Sequence, residues 1–99
     1  MYTVQDEIGD ILGDKNKIRM IMALYDKGAM KKTDLYEYAS RNSLNPRKLD
    51  EMEKANLISQ NYDRFQNNMT TVSLTDLGRD VARKLRDIEG LMSGELAVE

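Results

Sequence analysis

Ser43-Leu44-Asn45-Pro46-Arg47-Lys48-Leu49-Asp50-Glu51-Met52-Glu53-Lys54-Ala55-Asn56-Leu57-Ile58 contains the start, the buried face and the end of one helix. Proline lacks the N–H that a helix interior needs and is tolerated in a first turn, so Pro46 puts the start near Ser43 to Asn45. At helical spacing Leu49 and Met52 point inward, while Ser43, Arg47, Asp50, Glu51 and Lys54 point outward. Ala55-Asn56 closes the helix, because asparagine is second to glycine at a left-handed terminus. Beyond it the period becomes that of a strand. Ile58, Gln60 and Tyr62 alternate, Thr70, Val72 and Leu74 alternate again, and Asp63 to Asn68 between them is rich in turn formers, which predicts a two-stranded hairpin.

Upstream, three helices precede this one. Val4, Ile8, Ile11 and Leu12 follow one helical face, with Thr3 as a cap and Gly13 as a stop. Ile18, Ile21, Met22 and Tyr25 repeat the spacing in a second helix, with Asn16 as its cap and Gly28 at its end. Met30 then lies in a brief extended link, and Thr33 caps a short third helix whose Leu35, Tyr38 and Ala39 share an inward face. Downstream of the hairpin, Thr75 caps a last helix in which Leu77, Val81, Leu85, Ile88 and Met92 form one stripe, up to Gly94.

With this order in place, three stretches look familiar. Leu49-Asp50-Glu51-Met52-Glu53-Lys54-Ala55-Asn56-Leu57-Ile58 resembles the end of the recognition helix and the start of the wing in MarR-like, ArsR-like and small archaeal winged-helix proteins. Val72-Ser73-Leu74-Thr75-Asp76-Leu77-Gly78-Arg79 resembles the Leu-Thr-x-x-Gly-Arg pattern with which those proteins leave the wing, and Ile11-Leu12-Gly13-Asp14-Lys15-Asn16-Lys17-Ile18-Arg19 the approach to the first helix of the motif. The resemblance implies a mainly helical α+β fold, a winged helix-turn-helix with an added N-terminal helix and a C-terminal dimerisation helix. On this reading residues 1–99 are one domain: an N-terminal helix at 1–13, a winged-helix body at 15–75 with its wing at about 58–74, and a C-terminal helix at 76–93.

Composition narrows the function. The chain has 99 residues, 40% of them hydrophobic and 32% charged, with no cysteine and no histidine. That length suits one core. It has no apolar run of the roughly 18 residues a membrane span requires. The start of the chain lacks the pattern of a secretory signal, so a cytoplasmic protein is expected. The usual zinc, copper and haem ligands are absent, as are a thiol nucleophile and an imidazole base, and the six glycines are dispersed rather than gathered into a phosphate loop. The expectation is a protein that is not an enzyme and uses no cofactor or metal. The formal net charge of -2 conceals a gradient, because residues 1–14 carry four acids and no base, whereas residues 15–54 carry ten bases and six acids.

The basic middle and the resemblance together point to double-stranded DNA, bound sequence-specifically by a homodimer acting in transcription. Arg47 can take two hydrogen bonds from guanine in the major groove, and Lys48 suits a phosphate. Asn45 either reads adenine or caps its helix. Ser43 and Lys54 share the outward face with them. The resemblance adds Lys31 and Lys32 on backbone phosphate, and Arg64, Gln66 and Asn67 at the wing tip, reaching into the minor groove or along phosphate; Asn67-Asn68 also reads simply as a turn. The outward face of the helix is mixed in sign, with Arg47–Glu51 and Asp50–Lys54 spaced as i, i+4 pairs. That mixture suits the alternative reading, a winged-helix module that binds another protein and no DNA. The dimer expectation rests on Val4 and Ile8 in the first helix and Val81, Leu85, Ile88 and Met92 in the last, two apolar faces that a winged-helix body alone cannot cover. The rival is the N-terminal helix folding back on the C-terminal one within a monomer.

Overall fold

The computed structural model describes residues 6–65 and 69–94. Helix α1 (Asp6–Leu12) leads into α2 (Lys15–Lys27), strand β1 (Met30–Lys31), α3 (Lys32–Leu35) and a 3-10 turn (Tyr36–Tyr38). Then come α4 (Asn45–Lys54), β2 (Ile58–Asp63), β3 (Met69–Leu74) and α5 (Asp76–Ser93). The strands form one antiparallel sheet in the order β1-β3-β2, with Met30 opposite Val72 and Ile58 opposite Leu74. This is the mainly helical α+β winged helix that the sequence implied. Among the described residues no helix is long and apolar enough to cross a membrane.

The core lies where α2 meets the sheet, α4 and α5. Met20, Ile21, Leu35, Leu49, Met52, Ile58, Val72 and Ala82 are fully buried, and Leu24, Leu57 and Leu74 nearly so. Along α2 this is a different face from the expected one, since Ile18, Met22 and Tyr25 are only half-buried while Met20, Ala23 and Leu24 are inside. α2 is packed by α1, α4, α5 and β3 from several sides. Its neighbours therefore select the buried residues, and a single stripe does not describe it.

Four local expectations need correction. Asp14 caps α2, its carboxylate accepting from the Lys17 N–H at 3.1 Å, and Asn16 instead points into the protein. Thr33 does not cap α3: the chain comes straight out of β1, Lys31 occupies the cap position without a side-chain bond, and the helix has already begun at Lys32. The extended link at Met30 is thus a third strand, paired with β3, and the sheet has three strands rather than two. Tyr38 is 46% exposed and Tyr36 is the ring that packs on the core. The helix there ends in a 3-10 turn and Ala39 is extended, so no further turn stands behind Tyr38.

Other boundaries are those expected. Asn56 closes α4 with a positive φ of 66°. Thr75 caps α5, its hydroxyl accepting from the Gly78 N–H at 2.9 Å while donating to the Asn56 carbonyl at 2.6 Å. The cap thereby ties the start of α5 to the end of α4. Gly78 allows this approach, because a Cβ there would lie 1.9 Å from the Leu57 carbonyl oxygen.

Candidate nucleic-acid interface

The outward side of α4 is the centre of the candidate surface, and two sets of contacts fix its position. The first is polar and buried. Asn16 donates to the Ser40 carbonyl and to Asn45 Oδ1, each at 3.1 Å, and accepts from the Ser40 N–H at 3.1 Å; Asn45 donates to the same carbonyl at 3.2 Å. Asn45 is 3% exposed, so its side chain holds the turn between α3 and α4 to α2 and is not presented to a base. It does not cap the helix either, since Leu44 occupies the N-cap position.

The second set is ionic. Lys17 is buried, and its ammonium lies 2.9 Å from Glu51 Oε1 on α4. Lys48, only 15% exposed in its side chain, reaches Asp14 Oδ1 at 3.1 Å. The Lys17 hydrogen bond and charge, with help from Arg47, hold the Glu51 carboxyl below its ordinary range. At Asp14, partial burial would raise the carboxyl, but the Lys17 N–H and the Lys48 ammonium outweigh it and bring it below the usual value. Lys48 is accordingly engaged inside the protein rather than standing out toward a phosphate.

These contacts alter the reading of the acidic residues on α4. Glu51 faces Lys17, while Asp50 Oδ1 and Glu53 Oε1 accept from the Gln60 amide at 3.0 and 3.1 Å and Glu53 Oε2 from the Gln60 N–H at 3.1 Å. Asp50 and Glu51, which face outward by helical phase, and Glu53 beside them are thus bonded to α2 and β2. Arg47 shares Glu51 at 3.4 Å, yet its side chain remains 75% exposed. Lys54 and Ser43 are exposed as well.

Around α4, Lys31 is exposed and Lys32 half-buried where β1 passes into α3. Arg64 lies exposed at the end of the wing, its guanidinium 6.0 Å from the centre of the Phe65 ring. Gln66 and Asn67 lie outside the described residues, as does Val4. A cleft of about 720 Å³ opens at the α3–α4 turn between Tyr36, Arg41, Ser43 and Pro46. The Tyr36 hydroxyl is buried there without a partner among the described residues, and burial followed by the charge of Asp50 raises its pKa. Sequence reasoning missed Lys17, Arg41 and Phe65. Lys17 left no trace in local spacing because its partner is far along the chain, but a lone phenylalanine among turn formers was a visible signal.

At the C-terminal end of α4, α1 and α5 border an apolar groove of about 630 Å³, lined by Ile8, Ile11, Leu12, Leu57, Leu77, Val81, Leu85 and Ile88, with Lys54 and Lys84 at its edge. Val81 and Leu85 pack partly on the core of their own chain, whereas Ile8 is 50%, Ile88 46% and Met92 84% exposed. Within one chain α1 packs on α2, and the groove between α1 and α5 stays open.

This arrangement, a buried support helix, an outward helix and a flanking hairpin, defines a winged helix-turn-helix. No protein-family model and no curated protein matches the chain. Solved structures do. A candidate transcriptional regulator from Salmonella typhimurium is similar over 92% of this chain and 82% of its own, with a TM-score of 0.76 and 19% identity. A MarR family transcriptional regulator from Silicibacter pomeroyi matches 91% of this chain and 65% of its own, with a TM-score of 0.70 and 25% identity. A candidate MarR family regulator from Porphyromonas gingivalis matches 92% and 97%, with a TM-score of 0.71 and 17% identity. The chain has a MarR-like winged-helix fold.

Proposed function

We propose that this chain, as one winged-helix domain, binds double-stranded DNA sequence-specifically and regulates transcription as a homodimer. One observation carries the reading: α4 is held outward by buried contacts on its inner side, with its carboxylates bonded to Lys17 and Gln60 and with Arg47 left exposed. A helix in the major groove reads bases with residues near its N-terminus, where Arg47 stands. Lys54 and Ser43 on the same face, Lys31 and Lys32 before α3, and Arg64 on the wing are proposed contacts to the DNA backbone. The solved relatives named as transcriptional regulators support this use of the fold.

The open groove between α1 and α5 supports the dimer, since pairing would cover Ile8, Ile88 and Met92 and present two recognition helices to successive turns of DNA. The competing reading, a module for binding another protein, draws on the net charge of -2 and the ion-paired face of α4. Salt separates the two. An anisotropy titration against duplexes selected from a randomised library, at two salt concentrations, should show affinity falling steeply as salt rises. Failure to select any duplex would refute the DNA-binding reading.

A further inference from the structure

We propose that Phe65 is an apolar wedge that enters the minor groove beside the recognition helix and partly unstacks one base step there. The inference rests on the DNA-binding reading and goes beyond it by naming a second element that selects sequence. Phe65 is 91% exposed, more than any other large hydrophobic side chain among the described residues. Its backbone is held in a turn, because the Asp63 carboxylate accepts from the Phe65 N–H at 2.9 Å as the chain leaves β2. The Arg64 guanidinium lies near one face of the ring, 6.0 Å from its centre. An arginine and an aromatic ring side by side offer two flat surfaces on which a base can stack.

Reach agrees with this placement. β2 starts at Ile58, separated from the end of α4 by three residues, and runs six residues to Asp63. At about 3.3 Å per residue the strand is roughly 20 Å long, and it runs beside α4, with Gln60 bonded to Asp50 and Glu53, before its tip projects past that contact. Successive major grooves are about 34–36 Å apart, which leaves the neighbouring minor groove about 17 Å away. Phenylalanine is among the side chains that proteins insert between base steps in that groove, kinking the duplex. Pyrimidine–purine steps unstack most readily, so a wedge would favour a TA or CA step at a fixed distance from the bases that α4 contacts.

The test uses the full chain and duplexes that it selects from a randomised library, with 2-aminopurine placed in turn at each step flanking the selected core. The native protein should raise the fluorescence at one flanking step. F65A should bind roughly tenfold more weakly, the scale of one lost stacking contact, and leave the fluorescence flat, with an unchanged salt dependence. R64A should instead lower the salt slope by about one. Because the ring is in water, thermal melting of F65A should match that of the native protein. If F65A binds and unstacks like the native protein, the wedge is overturned while the DNA-binding reading stands. If no duplex is selected by the native chain, both are overturned.

Discussion

At the junction of α2 and α4, the buried Asn16, Asn45 and Lys17 and the partly buried Asp14 and Lys48 have partners: Asn16 with Asn45 and Ser40, Lys17 with Glu51, Lys48 with Asp14. At the end formed by α1 and α5 the reverse holds, and Ile8, Leu12, Leu77 and Ile88 stand half in water around an open groove. The first region is completed by its own chain. The second has apolar surface to spare, and each large apolar side chain left uncovered forgoes about 1.5 to 3 kcal/mol of burial. On the proposed reading, the junction holds a helix at a set angle and the α1–α5 end takes a second copy of the chain.

The strongest way to break the comparison is at Gly78, where α5 crosses the end of α4 and the two regions meet. Gly78→Ala would put a Cβ against the Leu57 carbonyl, and backbone cannot move aside as a flexible side chain can. We expect a loss of about 3 kcal/mol, the upper part of the usual range for overpacking, read as a lower midpoint in urea. Asn16→Ala tests the junction alone. It removes three hydrogen bonds and strands the Ser40 backbone N–H, which should cost about 2 kcal/mol in the same measurement. A neutral result would show that the junction is not held by its polar contacts.

Arg47→Ala probes what the junction is for. The side chain is exposed, so folding should be unaffected, whereas affinity for a selected duplex should fall by about 1 to 3 kcal/mol with relaxed preference at one base pair. Equal binding by the variant would remove Arg47 from the reading role. The ion pairs predict a dependence on acid. The Asp14 and Glu51 carboxyls are lowered in the folded chain from ordinary values of 3.8 and 4.5, so their contribution to stability is full above those values and fades as the pH drops through the lowered ones. Melting temperature should therefore decline below about pH 4.5, and less steeply in Glu51→Gln, which lacks one of the two groups.

The smallest effect on folding is expected at Ile88, 46% exposed at the border of the open groove. Ile88→Glu should change stability by less than about 0.5 kcal/mol, as surface substitutions usually do, and should turn a dimer into a monomer in sedimentation. It is a cleaner probe than a charge at Leu85, which packs partly on the core of its own chain. A native chain that sediments as a monomer at tens of micromolar would refute the dimer and leave the groove needing another occupant.

Much of the fold was legible because its signals are local. Pro46 marked the start of α4, Asn56 and Thr75 its end and the start of α5, and the alternation of Ile58 to Tyr62 and Thr70 to Leu74 marked the wing. Each follows from backbone sterics or hydrogen bonding within a few residues. Expectations failed where a distant segment decided the outcome. Met30–Lys31 became a strand because β3 lay beside it, and Asn16 left its expected cap for a partner 29 residues away. Of the candidate site, the exposure of Arg47 followed from helical phase, but the engagement of Lys48 and the inward turn of Asn45 did not.

The sequence by itself determined the order of helices and hairpin, the ends of the principal elements and the two buried anchors of α4, since periodicity and capping depend on neighbours in the chain. Only the tertiary structure decided which charges are spent inside the protein. Lys17 and Glu51 are 34 positions apart, as are Asp14 and Lys48, and a charge is neutralised by whatever lies within a few ångströms of it in space. The mixed face of α4, ambiguous as a string of residues, thus became a set of carboxylates bonded to α2 and β2 beside one exposed arginine.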